Sequence, residues 1–527
     1  MEEFARTAER IWQQARQEGR LLQDPSREEL VSLMEKEPEV RKTKYGSFVA
    51  ESEPTSRSAM FTRNSVDHPF GEEERALLEK CERILAGERL VCVDVTVGSP
   101  GNDTIARLIV PQRYAHVAYG GRNLYAPAPR KEREPDYTII FFTDEAFEQN
   151  KSKPLPQKDI TIRLAMFDDG RMVKIVRNSN YIGEFKKGVF AGEDWNAKVK
   201  KGGLFLHAGC REDYLQSPSG DYKDTKTLIV ALSANGKTTL TGRIIAKKGK
   251  EKSWLVQDDG GTLMPDGSFR GFEAGAVYVK TEDVNPGEQR EIYYGLLKPG
   301  TMLENVYVEA DGDLDFYNLE RTSNGRAVVL RGDLMHAKPS IDVEEIDNLI
   351  LITRGNIIPA ISKLTREQAV ALMVVGQAME SSAGDPTQAG KIRSEFFYDP
   401  FVAGDRAAHA NRLYEILQGL PRVNFFLLNT GGIGEGRTYR DITVDITMEI
   451  LDSLLRGGLD DAESWVDSPT GFKVPKAVRH VDDIYFHPEK QFSHSEFESR
   501  QRDLERVRLE AIEKIGDSLY PEIRNAL

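Results

Sequence analysis

The chain has 527 residues, with 71 Lys and Arg against 84 Asp and Glu, a formal net charge of −13 and an apolar fraction of 39 %. That length exceeds what one compact core sustains, so two or three units of about 100–200 residues each are expected; a charged fraction of 29 % with 44 glycines and 24 prolines is globular, not fibrous or disordered. The acidic balance opposes broad binding to nucleic acid or anionic lipid, no run approaches about 18 uncharged apolar residues, and three scattered cysteines, Cys81, Cys92 and Cys210, are too few for a disulfide framework or a cysteine-rich zinc site.

In chain order, Phe4, Ala8, Ile11, Trp12 and Ala15 recur at helical spacing, which predicts an amphipathic first helix. The same stretch carries acids and arginines instead of a basic segment and an apolar run, so no secretory signal is expected and a reducing cytoplasm is the expected setting. A basic and polar stretch follows from Arg41 to Asn64, then a helix over Glu72–Leu85 and a Val-rich strand in ERLVCVDVTVG. Between Ile105 and Phe190 the text reads as successive strands, IARLIV, AHVAY, YTIIFF and ITIRLAMF, the last turning at Asp169-Gly170 into RMVKIV; an Asp-Gly between two β-prone runs is a hairpin signal.

From Gly203 the texture changes: GLFLHAGC reads as a strand, SPSGDYKD as a surface loop, and TLIVALSANGKTTLTGRII as strand, small-residue loop and helix start. Strands are expected around Trp254–Gln257, Ala276–Lys280, Leu303–Glu309, LILIT and VNFFLLNTGG, with a turn at Asp311-Gly312. Helices are expected over Thr365–Met379, Ala407–Leu417, Ile442–Leu455 and a tail carrying Leu504, Val507, Ala511 and Ile515 on one face.

Ser233-Ala234-Asn235-Gly236-Lys237-Thr238-Thr239 is the sharpest chemical signal. A strand ends there, a tight loop exposes successive N–H groups and a helix begins, so polyphosphate is the expected guest. Lys237 would neutralise the β- and γ-phosphates and the Thr238 hydroxyl would hold Mg²⁺. A strict phosphate loop has glycine where this chain has Ala231. Asp258 and Asp259 end the segment WLVQDD, where a carboxylate can meet the nucleotide metal. Taken singly they read as solvated acids, Lys186 and Lys187 as a solvated pair, and His207 as a core histidine bonded to a carbonyl.

These segments are not independent. TSRSA at Thr55–Ala59, YIGEFKKGVF, LHAG, ALSANGKTTL, QDDGG, FEAGAVYVKT, MLENV and NTGGIGEG resemble, in the same order, the ATP-dependent phosphoenolpyruvate carboxykinase words TGRSP, YGGEMKKGMF, an HCSAN-like strand end, GLSGTGKTTL, GDDEHGW, FEGGCYAKT, LLENV and NTGWNGTGK. The resemblance implies a two-domain α/β fold with mixed sheets, an N-terminal substrate-binding domain over 1–202, a phosphate-loop nucleotide-binding domain over 203–527, and an active site in the cleft between them. It implies the conversion of oxaloacetate and ATP to phosphoenolpyruvate, CO₂ and ADP, with Mn²⁺ and Mg²⁺, by a monomer or small homo-oligomer. Arg57 and Arg326 would grip carboxylates, since guanidinium forks suit planar anions, and Tyr181 would lie at the phosphoenolpyruvate side. Lys187, His207 and Asp259 would ligate Mn²⁺, the lysine as its neutral amine. Ser233, Ala234, Asn235, Gly236, Lys237, Thr238 and Thr239 would line the polyphosphate, with Glu304 and Lys280 supporting the nucleotide.

Some words depart from the pattern. Alanines stand for glycines at Ala231 and Ala234, Asn235 for a threonine, Ile182 for the second glycine of YGGE, Arg354 for an acid and Gly432 for an aromatic. The family's lid word has no clear counterpart; either Lys391, Arg393, Phe396 and Phe397 serve its purpose differently, or the segment is an ordinary surface loop. Two other readings follow from these departures: a divergent kinase of the same fold with another acceptor or donor, and a nucleotide-binding regulator without turnover.

Overall fold

The computed structural model describes residues 1–53, 58–100, 102, 104–129, 134–144, 160–232, 235–282, 284–287, 289–320, 322, 324–379 and 392–527. The chain divides into two compact units, Met1–Gly202 with Gly271–Met335, and Gly203–Arg270 with His336–Leu527. The division at Gly202 coincides with the expected boundary, but residues 271–335 return to the first unit instead of staying with the second. The reason is strand pairing: Met302–Glu304 lies parallel to Phe48–Ala50, a partnership between distant segments that no local pattern announces.

The first unit holds an eight-stranded mixed sheet with Leu90–Thr96, Ile105–Pro111, Tyr137–Phe142, Met172–Arg177 and Thr161–Met166 at its centre. The Asp169-Gly170 hairpin joins the last two strands antiparallel, with Gly170 at φ +85°. One face packs on the helices Glu2–Gln17 and Glu72–Leu85 through Phe4, Ala8, Ile11, Leu78 and Cys81. Trp12 is only partly buried. It bonds Gln23 at 3.0 Å and lies 4.6 Å from the Arg107 guanidinium.

The opposite face carries two helices, Ala115–Leu124 and Ile182–Asn196. The first of these corrects the expected AHVAY strand. A short apolar run buried on all sides has no periodicity to separate helix from strand, and here its glycines permit helix packing. A Cβ at Gly120 would lie 2.5 Å from Ile182 Cδ1, and one at Gly121 would lie 2.8 Å from Phe185 Cδ1. The isoleucine that departs from the family word thus seats itself on Gly120. A second, five-stranded sheet contains Ala276–Lys280, Arg326–Leu330, Met302–Glu304, Phe48–Ala50 and Val40–Lys42.

The second unit is built on an eight-stranded mixed sheet whose parallel centre is Tyr222–Val230, Asn348–Thr353 and Asn424–Asn429. Strand alternation divides its side chains between two cores. Leu228 and Val230 join the helices Arg366–Val375 and Arg406–Gln418, while Ile229 and Ala231 join Leu240 and Val444–Leu455. The tail helix His494–Glu513 docks through Phe497, Arg508 and Ile512, with Leu504, Ala511 and Ile515 beside them. The helix expected to run to Met379 stops at Val375. Gly376 takes the left-handed conformation, and Gln377–Met379 pairs with Ile392–Ser394 as a strand.

Candidate active site

In the second unit, strand register brings the charged residues together. Ala208–Gln216 pairs with Lys252–Gln257, and Leu204–Leu206 pairs with Gly261–Leu263. His207 therefore sits at the junction of two strands, opposite the turn that carries Asp258 and Asp259. The His207 Nε2 lies 3.0 Å from Asp259 Oδ1, and the same oxygen takes an ion pair from Lys237 Nζ. On its other side, His207 Nδ1 lies 3.3 Å from the Tyr398 carbonyl. The reading of His207 as bonded to a backbone carbonyl thus holds for one nitrogen and leaves the other facing the acid.

Lys237 begins the short helix Lys237–Gly242 after Tyr222–Val230. Gly236 enters it at φ +94°, and a Cβ there would meet nothing within 4 Å. Glycine is required by backbone conformation, not by crowding. Asn235 is buried, and its carbonyl accepts from the Thr430 hydroxyl at 3.0 Å; Thr238 and Thr239 are half-buried on the first turn. The far end of the helix is held by Arg211, which is buried, grips Asp213 at 2.7 and 2.8 Å, and donates to the carbonyls of Leu240 and Arg243. Ser233 and Ala234 lie outside the described residues.

In the first unit, Tyr181 caps the helix Ile182–Asn196. The Ile182 N–H donates to Glu304 Oε1 at 2.8 Å, and the Tyr278 hydroxyl donates to Glu304 Oε2 at 2.7 Å. Across the second sheet, Lys280 and Glu304 are both register partners of Arg326, so three predicted site residues form one row on one face. Tyr181 and Tyr278 rings lie 6.3 Å apart, and Lys187 Nζ lies 5.3 Å from the Tyr181 ring centre. The charge of Arg326 faces Tyr181, Tyr278, Glu282 and Glu304.

Lys187 Nζ donates to Glu184 Oε1 and to Ser58 Oγ, each at 2.8 Å. Glu184 is shared with buried Lys174, 2.9 Å away. Burial pushes the Glu184 carboxyl upward, but the charges and hydrogen bonds of Lys174 and Lys187 overcome it and hold the group at about 2.

Glu304 is fully buried with both oxygens committed, and burial raises its carboxyl; it holds Tyr278 and the helix start. Lys280 stands beside Arg326 in the first unit, paired with Glu282 at 2.5 Å. Among the lid candidates, Phe397 is buried and its ring lies 4.4 Å from His409, so it is core. Phe396 packs on it at 4.7 Å, Arg393 lies in the strand Ile392–Ser394, and Lys391 is outside the described residues, as is Arg57. At Gly432 a Cβ would lie 2.5 Å from the Tyr439 hydroxyl, so the Tyr439 ring occupies the space that a side chain at 432 would enter. Arg354 lies under Gly431, and burial lowers its pKa.

Sequence reasoning missed Glu184, Tyr278, Lys174, Tyr398 and Arg211. The first two carried a signal, since Glu184 stands one turn before Lys187 and Tyr278 stands on the same strand face as Lys280. The others act through contacts that only the fold creates.

A sequence profile of phosphoenolpyruvate carboxykinase matches residues 20–484. The chain belongs to the phosphoenolpyruvate carboxykinase family. An ATP-type phosphoenolpyruvate carboxykinase of Aeropyrum pernix is 30 % identical over 326 residues, 61 % of this chain and 63 % of that protein. Those of Campylobacter jejuni and of a Chelativorans species are 26 % and 27 % identical over 421 and 426 residues, 78 % and 79 % of this chain and 75 % of each relative. As a member of this family the chain is an enzyme of the carboxykinase type, which is favoured over the divergent-kinase and non-catalytic readings. Its α/β architecture with several mixed sheets agrees with the family's fold. Among the described residues no helix is long and apolar enough to cross a membrane.

Proposed function

We propose that the chain converts oxaloacetate and ATP to phosphoenolpyruvate, CO₂ and ADP. The observation that carries this reading is the convergence of Lys237 and His207 on Asp259 at the loop that follows a parallel strand. An imidazole nitrogen beside a carboxylate oxygen is a donor pair that suits Mn²⁺ better than the all-oxygen-seeking Mg²⁺, and a lysine at the start of a helix is placed for phosphate.

In the reaction, the bond from the oxaloacetate methylene to its carboxylate breaks, CO₂ leaves, and the electron pair becomes an enolate. The enolate oxygen then attacks the γ-phosphorus and ADP departs. Arg57 and Arg326 hold the substrate carboxylates, and Tyr181 bounds the same side. Lys187, His207 and Asp259 would hold Mn²⁺, and Thr238 would hold Mg²⁺, supplying positive charge against the enolate and phosphate oxygens. Lys237 would exchange Asp259 for a phosphate oxygen, while Ser233, Ala234, Asn235, Gly236 and Thr239 would line the chain of phosphates. The first unit thus presents the acid and the second the nucleotide.

Three buried free thiols, Cys81, Cys92 and Cys210, fit a reducing cytoplasm. The test supplies oxaloacetate and Mn²⁺ with ATP, GTP or pyrophosphate in turn and follows phosphoenolpyruvate. ATP is expected to be the best donor, and silence with all three from folded, metal-loaded protein would sink the reading.

A further inference from the structure

Outside the residues assigned above, His116 is a buried polar group of the first unit with both ring nitrogens engaged. It lies fully buried in the helix Ala115–Leu124. Its Nδ1 is 2.7 Å from Glu37 Oε2, its backbone N–H donates to Glu37 Oε1 at 3.1 Å, and its Nε2 is 2.9 Å from the Asn180 carbonyl. A carboxylate and a carbonyl only accept, so both ring nitrogens are satisfied together when both carry protons.

The carbonyl that His116 grips belongs to a junction. Asn180 Oδ1 accepts from the Glu53 N–H at 2.8 Å, and Asn180 Nδ2 donates to the Glu51 carbonyl at 3.2 Å. The next residue is Tyr181, and the N–H after that is the one held by Glu304. Glu53 shortly precedes Arg57 in the sequence.

We propose that His116, as an imidazolium paired with Glu37, is a positioning residue that fixes Asn180 and, through it, the Tyr181 turn and the Glu51–Glu53 segment on the oxaloacetate side. The substrate part of this statement rests on the reaction proposed above; the protonation state does not. Burial opposes the charge, while Glu37 and Glu304 favour it and the balance raises the His116 pKa. The titratable groups facing it are Glu37, Glu304 and the Tyr114 ring at 6.0 Å. When the proton leaves, a neutral ring between two acceptors loses one bond, and the junction loosens at alkaline pH.

The experiment has two arms on the full chain. Nitrogen-15 histidine NMR, with the signal assigned by its loss in His116→Gln, is expected to show both ring nitrogens protonated at pH 7; a neutral ring there would overturn the proposal. In Glu37→Gln the amide N–H donates to Nδ1, so a neutral ring keeps both bonds. The KM for oxaloacetate should climb about ten-fold towards alkaline pH in the wild type, with kcat little changed, and stay flat in Glu37→Gln. Identical KM profiles in the two folded proteins would contradict it. A wild type that makes no phosphoenolpyruvate refutes the reaction, and the NMR arm still decides the imidazolium, so the two failures are distinguishable.

Discussion

At the residue scale, Glu184 has the most exacting electrostatic position. It joins buried Lys174 to Lys187, and its carboxyl is held at about 2 against an ordinary value of 4.5. A carboxyl with a depressed folded pKa contributes stability above its unfolded pKa and loses it as pH falls through the folded one. About 3 kcal/mol, present above pH 4.5, should therefore fade between roughly pH 4.5 and 2. Glu184→Gln, which strands Lys174 in the core, should destabilise by about 3 kcal/mol or more at pH 7 and flatten that acid limb. Denaturant unfolding at a series of pH values measures both, and an unchanged acid limb would count against the pairing. His207→Ala should weaken Mn²⁺ binding by about 10- to 100-fold, read by the paramagnetic resonance of free Mn²⁺. Retained affinity would remove His207 from the ligand set. Tyr398, whose carbonyl faces His207, has φ +56°, and its neighbour Phe397 has φ +54°. Two successive aromatics in the left-handed region are costly, and they place that carbonyl against His207.

At the element scale, what the sequence reveals depends on how local the cause is. The first helix, the Asp-Gly hairpin, and the strand and helix on either side of the loop before Lys237 were legible because periodicity and turn residues are local signals. AHVAY misled because the run is buried on every side, and its helix follows from Gly120 and Gly121 meeting Ile182 and Phe185. Gly121→Val should therefore cost about 1–3 kcal/mol by overpacking, seen as a lowered unfolding midpoint; an unshifted midpoint would show that the two helices do not meet there. Gly236→Ala tests the loop differently. No atom obstructs the methyl, so only the left-handed backbone resists it, at about 1–2 kcal/mol. A loop that relaxes to avoid this strain must be driven back on binding, so nucleotide affinity should fall about ten-fold with little loss of global stability, as titration calorimetry with ATP would show. Equal affinity would mean that the loop conformation at Gly236 is not the binding one. Arg211, which clamps the far end of the same helix, could not be read in advance because its partners on that helix are the backbone carbonyls of Leu240 and Arg243.

At the scale of the whole molecule, the chain's order of words anticipated the family, and composition anticipated more than one unit. The return of residues 271–335 to the first unit was not legible, because strand pairing between Phe48–Ala50 and Met302–Glu304 joins segments that no sequence window contains together. That return explains why Lys280 and Arg326 share a sheet face with Glu304 while Lys237, His207 and Asp259 belong to the second unit. A net charge of −13 does not by itself exclude anionic substrates, because individual basic groups act locally: Lys187, Lys280 and Arg326 lie in one unit and Lys237 in the other. We propose that residues of both units serve one reaction. It is tested by the initial rate of phosphoenolpyruvate formation from oxaloacetate, ATP and Mn²⁺ in the wild type, Lys237→Ala and Arg326→Ala. The wild type should release one phosphoenolpyruvate per ATP consumed, and each variant, still folded, should be slower by about 100-fold or more. A folded wild type that forms none, or either variant matching its rate, would contradict the claim.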